Sequence, residues 1–136
     1  MPTGDPTIVI APLIQLGATY FTRELPTGRP VIWGVQCRDT AVTDEHLELL
    51  ARCEQVRAVG LDGTRITNRC LPALANLRFL ESLDLNHTTV DDAGLDLLQE
   101  ARQLEFLHVG QTRVTESGVR KLQQRLRKCE IVSRWT

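Results

Sequence analysis

LDLNHTTVDDAGLDLLQEARQLEF, residues 83–106, decides the fold of this protein, because the 24 residues that follow repeat its pattern. Residues 107–130 read LHVGQTRVTESGVRKLQQRLRKCE. Upstream, residues 35–58 read VQCRDTAVTDEHLELLARCEQVRA, and residues 59–82 read VGLDGTRITNRCLPALANLRFLES. A shortened fifth copy, IVSRWT, begins at Ile131. A fixed period of this length indicates a solenoid of stacked units.

Equivalent positions of the four full copies hold the same kinds of residue. The first and third residues are apolar and alternate with polar ones, which is typical of a half-buried strand. The ninth residue is Thr or Asp, both of which favour helix N-caps. The thirteenth and sixteenth residues are apolar and lie on one helix face. Each copy therefore predicts a short strand, a corner and a helix of about two turns.

The sixth residue of every copy is threonine. It falls at the corner after the strand, where backbone groups lack ladder partners. A hydroxyl offers one donor and two acceptors, so we expect it to bridge adjacent turns as a ladder through the core. Removing one hydroxyl should cost about 1–3 kcal/mol. The five positions are Thr40, Thr64, Thr88, Thr112 and Thr136.

These repeats resemble leucine-rich repeats. The pattern LxxLxLxxTxV occurs at residues 80–90 and again at residues 104–114. The segments VTDEHLELL and VDDAGLDLL are similar to the ITDxGLxxL signature of the cysteine-containing and ribonuclease-inhibitor-like classes. Threonine replaces the Cys or Asn of those classes, a variant of bacterial leucine-rich-repeat proteins. The resemblance covers residues 32–136.

The resemblance implies a right-handed α/β solenoid with a parallel sheet on the concave face and helices on the convex face. We expect a single domain over residues 1–136, with an N-terminal cap at 1–34, four repeats at 35–130 and a C-terminal strand at 131–136. The cap would hold a short helix in APLIQLG and a hairpin around Pro26–Gly28, and it would hide the edge of the first repeat strand. A longer fourth helix, with Lys128 at an otherwise apolar position, predicts a C-terminal cap.

Composition excludes several classes of function. With 16 Lys and Arg against 17 Asp and Glu, the net charge is −1, so no basic stripe predicts nucleic-acid binding. The basic residues from Arg113 onward are interpreted as a solvated helix face. No run approaches the roughly 18 apolar residues of a membrane span. The four cysteines form no CxxC pair, so their spacing does not indicate a zinc site. The first residues do not resemble a secretory signal, so we expect reduced thiols in a cytoplasmic protein.

The second and fourth residues of each copy point away from the predicted core, onto the concave face. Aromatic and arginine side chains on one such surface suit protein recognition. With the residues before the strands and at the rim, they predict a partner-binding surface. Its members are Gln36, Arg38, Asp62, Asp84, Asn86, His87, Phe106, His108 and Arg134.

Asp84 and His108 should be neighbours on adjacent parallel strands, roughly 5 Å apart. With His87 they could hold a metal or perform acid/base chemistry. We favour a solvated cross-strand pair, because a site needs a third ligand and a pocket, and a gently curved face offers no cleft. We therefore expect no catalytic residue, metal or cofactor.

The sequence thus predicts a non-catalytic protein–protein interaction module, with a partner that it does not identify. The alternative is a structural or assembly subunit that associates through its last strand, Ile131–Ser133, so that the chain is a monomer or a weak edge-strand dimer. The third hypothesis is a metal-binding protein or small enzyme that uses Asp84, His87 and His108.

Overall fold

The computed structural model of the protein describes residues 5–134. The strands are β1 (Thr19–Glu24), β2 (Pro30–Gln36), β3 (Ala58–Gly60), β4 (Ser82–Asp84), β5 (Phe106–His108) and β6 (Glu130–Val132). The α-helices are α1 (Ala11–Gln15), α2 (Asp44–Leu47), α3 (Leu71–Ala75), α4 (Asp92–Asp96) and α5 (Glu116–Arg125). Short 3₁₀ turns lie at Pro6–Ile8, Glu48–Arg52 and Asn68–Cys70.

One sheet holds all six strands in chain order. Strands β2 to β6 are parallel, and each pairs with the next at a register offset of 24 residues, so equivalent positions of the repeats are neighbours. Strand β1 is antiparallel to β2. The predicted α/β class is confirmed, but the sheet is mixed and not parallel throughout. The cause is the short turn before β2, which is long enough for a hairpin but not for a crossover.

The N-terminal segment forms the helix and the hairpin that its sequence predicts. Helix α1 has Pro12 in its first turn, and Gly17 follows it with φ +105°. The hairpin turn closes with a 2.7 Å hydrogen bond from the Gly28 amide to the Leu25 carbonyl. Trp33 is the extra residue of a bulge, because Phe21 pairs with Gly34 and Thr22 pairs with Ile32. Strand β1 covers the edge of β2, and its own six residues are all exposed.

The apolar columns of the repeats form one continuous core from Ile10 to Ile131. In the third copy, Leu83 on the strand, Leu85 just after it, and Leu95 and Leu98 on the helical segment are at most 1% exposed. The fourth copy closes the stack differently. Its helix α5 has ten residues, and Lys128 is exposed at the otherwise apolar position.

The prediction for the corner threonines is wrong in one respect. Each hydroxyl donates to a carbonyl of its own turn, three residues earlier, and does not bridge to the next turn. The bond from Thr88 to the Leu85 carbonyl is 2.7 Å long, and the equivalent bonds of three other copies are 2.7–2.8 Å. The backbone joins the turns instead, as in the 2.8 Å bond from the Leu85 amide to the His108 carbonyl. Thr136 lies outside the described residues.

The corner begins with a left-handed residue in all four copies. The fifth residue has φ between +54° and +72° in each: Asp39, Gly63, His87 and Gln111. This conformation is easiest for Gly and for short polar residues. This backbone requirement was not predicted from the sequence.

A second set of contacts between turns lies at the helix starts. The ninth residues Thr43, Thr67, Asp91 and Thr115 are N-caps, as predicted. The Asp44 carboxylate accepts bonds from the amide and the hydroxyl of Thr67, at 2.8 and 2.6 Å. Asp92 accepts the same two bonds from Thr115. The tenth residue of one copy therefore binds the N-cap of the next copy.

At the middle junction the polarity is reversed. The N-cap there is Asp91, whose carboxylate accepts from the amides of Ala93 and Gly94. The preceding tenth residue is Asn68, whose side-chain amide donates to Asp91 at 2.7 Å. This hydrogen bond is the largest of the effects that hold the pKa of Asp91 below its ordinary value. An aspartate at residue 68 would place two acceptor-only groups together.

Candidate functional site

One face of the sheet is not covered by helices. In strands β3 to β6 the middle residue is buried, and both flanking residues of β4 to β6 are half-buried or exposed. We call this surface, built from the residues that flank the buried positions of β2–β6, the open face. Its two columns are Gly34, Ala58, Ser82, Phe106 and Glu130, and Gln36, Gly60, Asp84, His108 and Val132.

A groove of about 220 Å³ crosses the open face from β1 to β5. Its floor includes Gly34, Ala58, Gly60 and Ser82, whose own side chains are small or absent. Phe21 lines it at the β1 side. Asp84 and His108 line it at the other side. The expectation that this face offers no cleft is therefore wrong, because small residues from three consecutive strands lie side by side.

Gln36 and Asp84 occupy the second position of their copies and have the same local role. The side-chain oxygen of Gln36 accepts from the Arg38 amide at 3.0 Å, and Asp84 Oδ1 accepts from the Asn86 amide at 2.9 Å. Gln36 also lies over Gly60, where any Cβ would collide with its side chain. These side chains stabilise the strand ends and remain accessible from the groove.

Asn86 and Asp62 lie beyond the groove, at the strand ends. Asn86 Oδ1 accepts from the Gly110 amide of the next copy at 2.6 Å. Asp62 Oδ1 lies 2.9 Å from His87 Nδ1, and Asp62 is the less exposed partner of this pair. Both predicted binding residues therefore also connect adjacent copies.

The structure places Asp84 and His108 in register on β4 and β5, as predicted. It brings His87 against Asp62 instead. Within residues 5–134, no three His, Cys, Asp or Glu side chains form a group that could hold a metal ion. The arrangement thus offers a polar pair in a groove, without the third ligand that the metal hypothesis requires.

The remaining predicted residues, Phe106, Arg38 and Arg134, are not among those that line the groove. Phe106 begins β5 and is 45% exposed. Arg38 follows β2, and its Nε lies 3.8 Å from the Asp39 carboxylate. Arg134 is exposed just after β6.

Two residues that line the groove, Phe21 and Trp33, were not predicted from the sequence. Phe21 is 58% exposed, and its ring lies over Gly34, 3.3 Å from the position that a Cβ there would take. The hairpin was predicted, but its register was not. Only the bulge at Trp33 sets Phe21 opposite Gly34 and so onto the open face.

All four cysteines are free and buried. Burial raises the pKa of the Cys37 thiol to about 11. The pKa of the Cys129 thiol is also raised to about 11, and burial is the largest cause. Burial also raises the pKa of Cys53 and Cys70. These thiols are protonated at neutral pH and face the core, as expected for small apolar side chains.

The helices between Asp5 and Arg134 are all too short or too polar to cross a membrane. The fold and the open face define the class: a repeat protein of stacked strand–turn–helix units with one exposed sheet face.

No protein-family model matches the sequence, and no curated protein matches it. Among solved structures, the chain is similar to the crystal structure of the LRR ectodomain of the receptor kinase SOBIR1 from Arabidopsis thaliana, with 13% sequence identity and a TM-score of 0.49. This similarity covers 94% of the chain and 90% of that chain.

Proposed function

We propose that the chain is a leucine-rich-repeat protein that binds a protein partner on its open face and does not catalyse a reaction. The observation that carries this proposal is the groove across the open face, whose lining comes from four repeat strands and the hairpin. Exposed aromatic side chains next to half-buried polar ones are the composition of protein-binding surfaces.

The finer assignment is part of the same proposal. Parallel strands lie about 4.8 Å apart, whereas packed helices need 8–10 Å, so the helix side follows the longer arc and the sheet is concave. A right-handed coil agrees with the rule for parallel crossovers. The corner threonine assigns the repeats to the bacterial type, similar to the cysteine-containing and ribonuclease-inhibitor-like classes.

The ends of the stack act as caps in this proposal. The N-terminal cap, residues 1–34, includes β1, which pairs with the strand β2 that leads into the first repeat. Residues 35–130 are the four repeats, and residues 131–136 are the C-terminal segment that continues from β6; residues 135–136 of this segment lie outside the described residues. The long helix α5 closes the C-terminal end. Four free thiols suit a reducing compartment, and we propose the cytoplasm.

A matched pair of double variants tests the binding face. The open-face variant combines Phe106→Ala with Asp84→Arg. The control combines Leu97→Ala with Asp96→Arg on helix α4 and its C-cap, where Leu97 is also 45% exposed. Wild type and both variants are used to capture proteins from the source cells, and the captured proteins are compared quantitatively. The partner captured by wild type is then purified, and its affinity for wild type and for each variant is measured by titration.

The open-face variant should lose at least about 30-fold in affinity for that partner, since a hot-spot residue contributes 2 kcal/mol or more. The control should bind like wild type. Equal affinity of both variants, with folding verified by circular dichroism, would overturn the proposal.

A second candidate function is assembly through β6, which among residues 5–134 has a neighbouring strand on one side only. Pairing of this edge would produce a dimer in sedimentation velocity, and Val132→Lys should dissociate it because a charged edge resists pairing. A monomer at all concentrations would remove this candidate.

A further inference from the structure

We propose that the groove takes an extended peptide segment of the partner, with an apolar side chain against Phe21 and a basic side chain paired with Asp84. This inference rests on the proposed function of the open face and specifies the chemistry of the partner.

The carboxylate of Asp84 determines the charge of the partner. Asp84 is half-buried and is the one formally charged side chain among the described residues that line the groove. Its Oδ1 accepts a single amide, and no ion pair to it forms within residues 5–134. An apolar partner would strip water from this charge without compensation, which is costly. A lysine or arginine side chain replaces the lost water with a charge-assisted bond.

The opposite end of the groove is apolar. Phe21 is 58% exposed and rests on Gly34, so a partner side chain can cover its ring without meeting a charge. Arg23 and Glu24, the charged residues of β1, do not line the groove. The two ends therefore differ in chemistry, and a segment can bind in one direction only.

The spacing between the ends fits an extended chain. The strands that carry Phe21 and Asp84, β1 and β4, are three strand spacings apart, which is about 14 Å. An extended peptide rises by about 3.4 Å per residue, so residues i and i+4 lie about 14 Å apart on the same side. The small residues Ala58 and Ser82 of the floor leave room for the peptide backbone between the two contacts.

Four acetylated, amidated pentapeptides test this inference: LSGSR, LSGSE, SSGSR and LSRSG. They are titrated into ¹⁵N-labelled protein, and binding is read from amide shifts in the groove, including those of Gly34, Gly60 and His108. LSGSR should bind with a millimolar Kd, and each of the other three should bind about tenfold more weakly.

Two protein variants separate charge pairing from general attraction. Asp84→Asn keeps an oxygen that accepts the Asn86 amide but removes the charge, so it should lose the roughly tenfold preference of LSGSR over LSGSE. Asp39→Asn makes the same change of net charge outside the groove and should keep the preference. Equal binding of LSGSR and LSGSE to wild type, an unchanged preference in Asp84→Asn, or no groove shifts with any peptide would overturn the inference.

These outcomes are distinguishable from failure of the proposed function. If the peptides fail while Phe106→Ala with Asp84→Arg still abolishes binding of the purified partner, only the assignment of the groove is wrong. If that double variant binds its partner normally, the open face is not the binding surface and both proposals are wrong.

Discussion

At the scale of single residues, the corner threonine is a local device. Thr88 is 7% exposed, and its hydroxyl satisfies the Leu85 carbonyl inside the same turn. Without the hydroxyl, this carbonyl would lose a bond in a place that water reaches poorly. The recurrence of threonine in every copy follows from the geometry of one turn and requires no contact between threonines.

Thr88→Val keeps the shape of the side chain and removes the hydroxyl. We expect a loss of about 1–2 kcal/mol in the free energy of unfolding, measured by denaturant titration. Thr22→Val on the exposed strand β1 is the control and should change stability little. A Thr88→Val variant as stable as this control would show that the hydroxyl bond has no net value.

The buried cysteines make the free energy of unfolding depend on pH in the alkaline range. The folded pKa of Cys37, about 11, lies above its ordinary value of 9.0. The protonated Cys37 thiol therefore contributes fully to the free energy of unfolding below pH 9, where it is protonated in both the folded and the unfolded protein. This contribution is lost as the pH rises from about 9 to 11. The loss for this thiol is on the order of 2 kcal/mol. In Cys37→Ala, the curve of unfolding free energy against pH should be shallower across that window. An identical slope in the variant would refute this account.

At the scale of elements, the helix starts are joined by complementary polar pairs. Two junctions pair an aspartate with a threonine, and the middle junction pairs Asn68 with Asp91. In each pair, one group donates and the other accepts. Stacking therefore depends on the pairing of neighbouring copies as well as on the consensus of a single copy.

Exchanging the pair tests this rule. Asn68→Asp should lower the thermal midpoint, because two carboxylates then face each other and the pKa of Asp91 rises. The deficit should shrink as the pH falls below about 4 and the carboxylates protonate. The double variant Asn68→Asp with Asp91→Thr recreates the Asp44–Thr67 pair and should recover most of the lost stability. If the double variant is less stable than Asn68→Asp alone, the pairing rule is wrong.

The elements themselves were largely predictable. Strand positions followed from the alternation of Leu83, Asp84 and Leu85, and helix starts followed from N-caps such as Asp91. The bulge at Trp33 and the left-handed corners were not predicted. The bulge depends on how β1 aligns with β2. The left-handed corners show no common residue type, because residues as different as Gly63 and His87 share this conformation.

At the scale of the whole molecule, the continuous core predicts a single cooperative unit. Leu83 is fully buried in the middle of the stack. We expect Leu83→Ala to cost about 2–5 kcal/mol and to reduce hydrogen-exchange protection equally in β2, β4 and β6. Unchanged protection in β6 would show that the last repeat unfolds independently, as weakly coupled repeats do.

The candidate site was predictable in part. Equivalent positions of a regular repeat must align, so the neighbours Asp84 and His108 followed from the period alone. The groove could not be predicted from the period, because its depth depends on small residues from three strands and on Phe21 from the hairpin. The pairing of His87 with Asp62 was also missed, since it depends on the turn of the corner.

The sequence by itself determined the repeat, the buried columns, the helix caps and the surface on which variable residues lie, because each of these follows from a period of 24 residues and from local preferences. Only the tertiary structure decided the register of the first strand against the second, the polar pairs between turns and the groove. These depend on distances between side chains of different turns and of the hairpin, and a sequence pattern specifies which residues are neighbours without specifying how they meet.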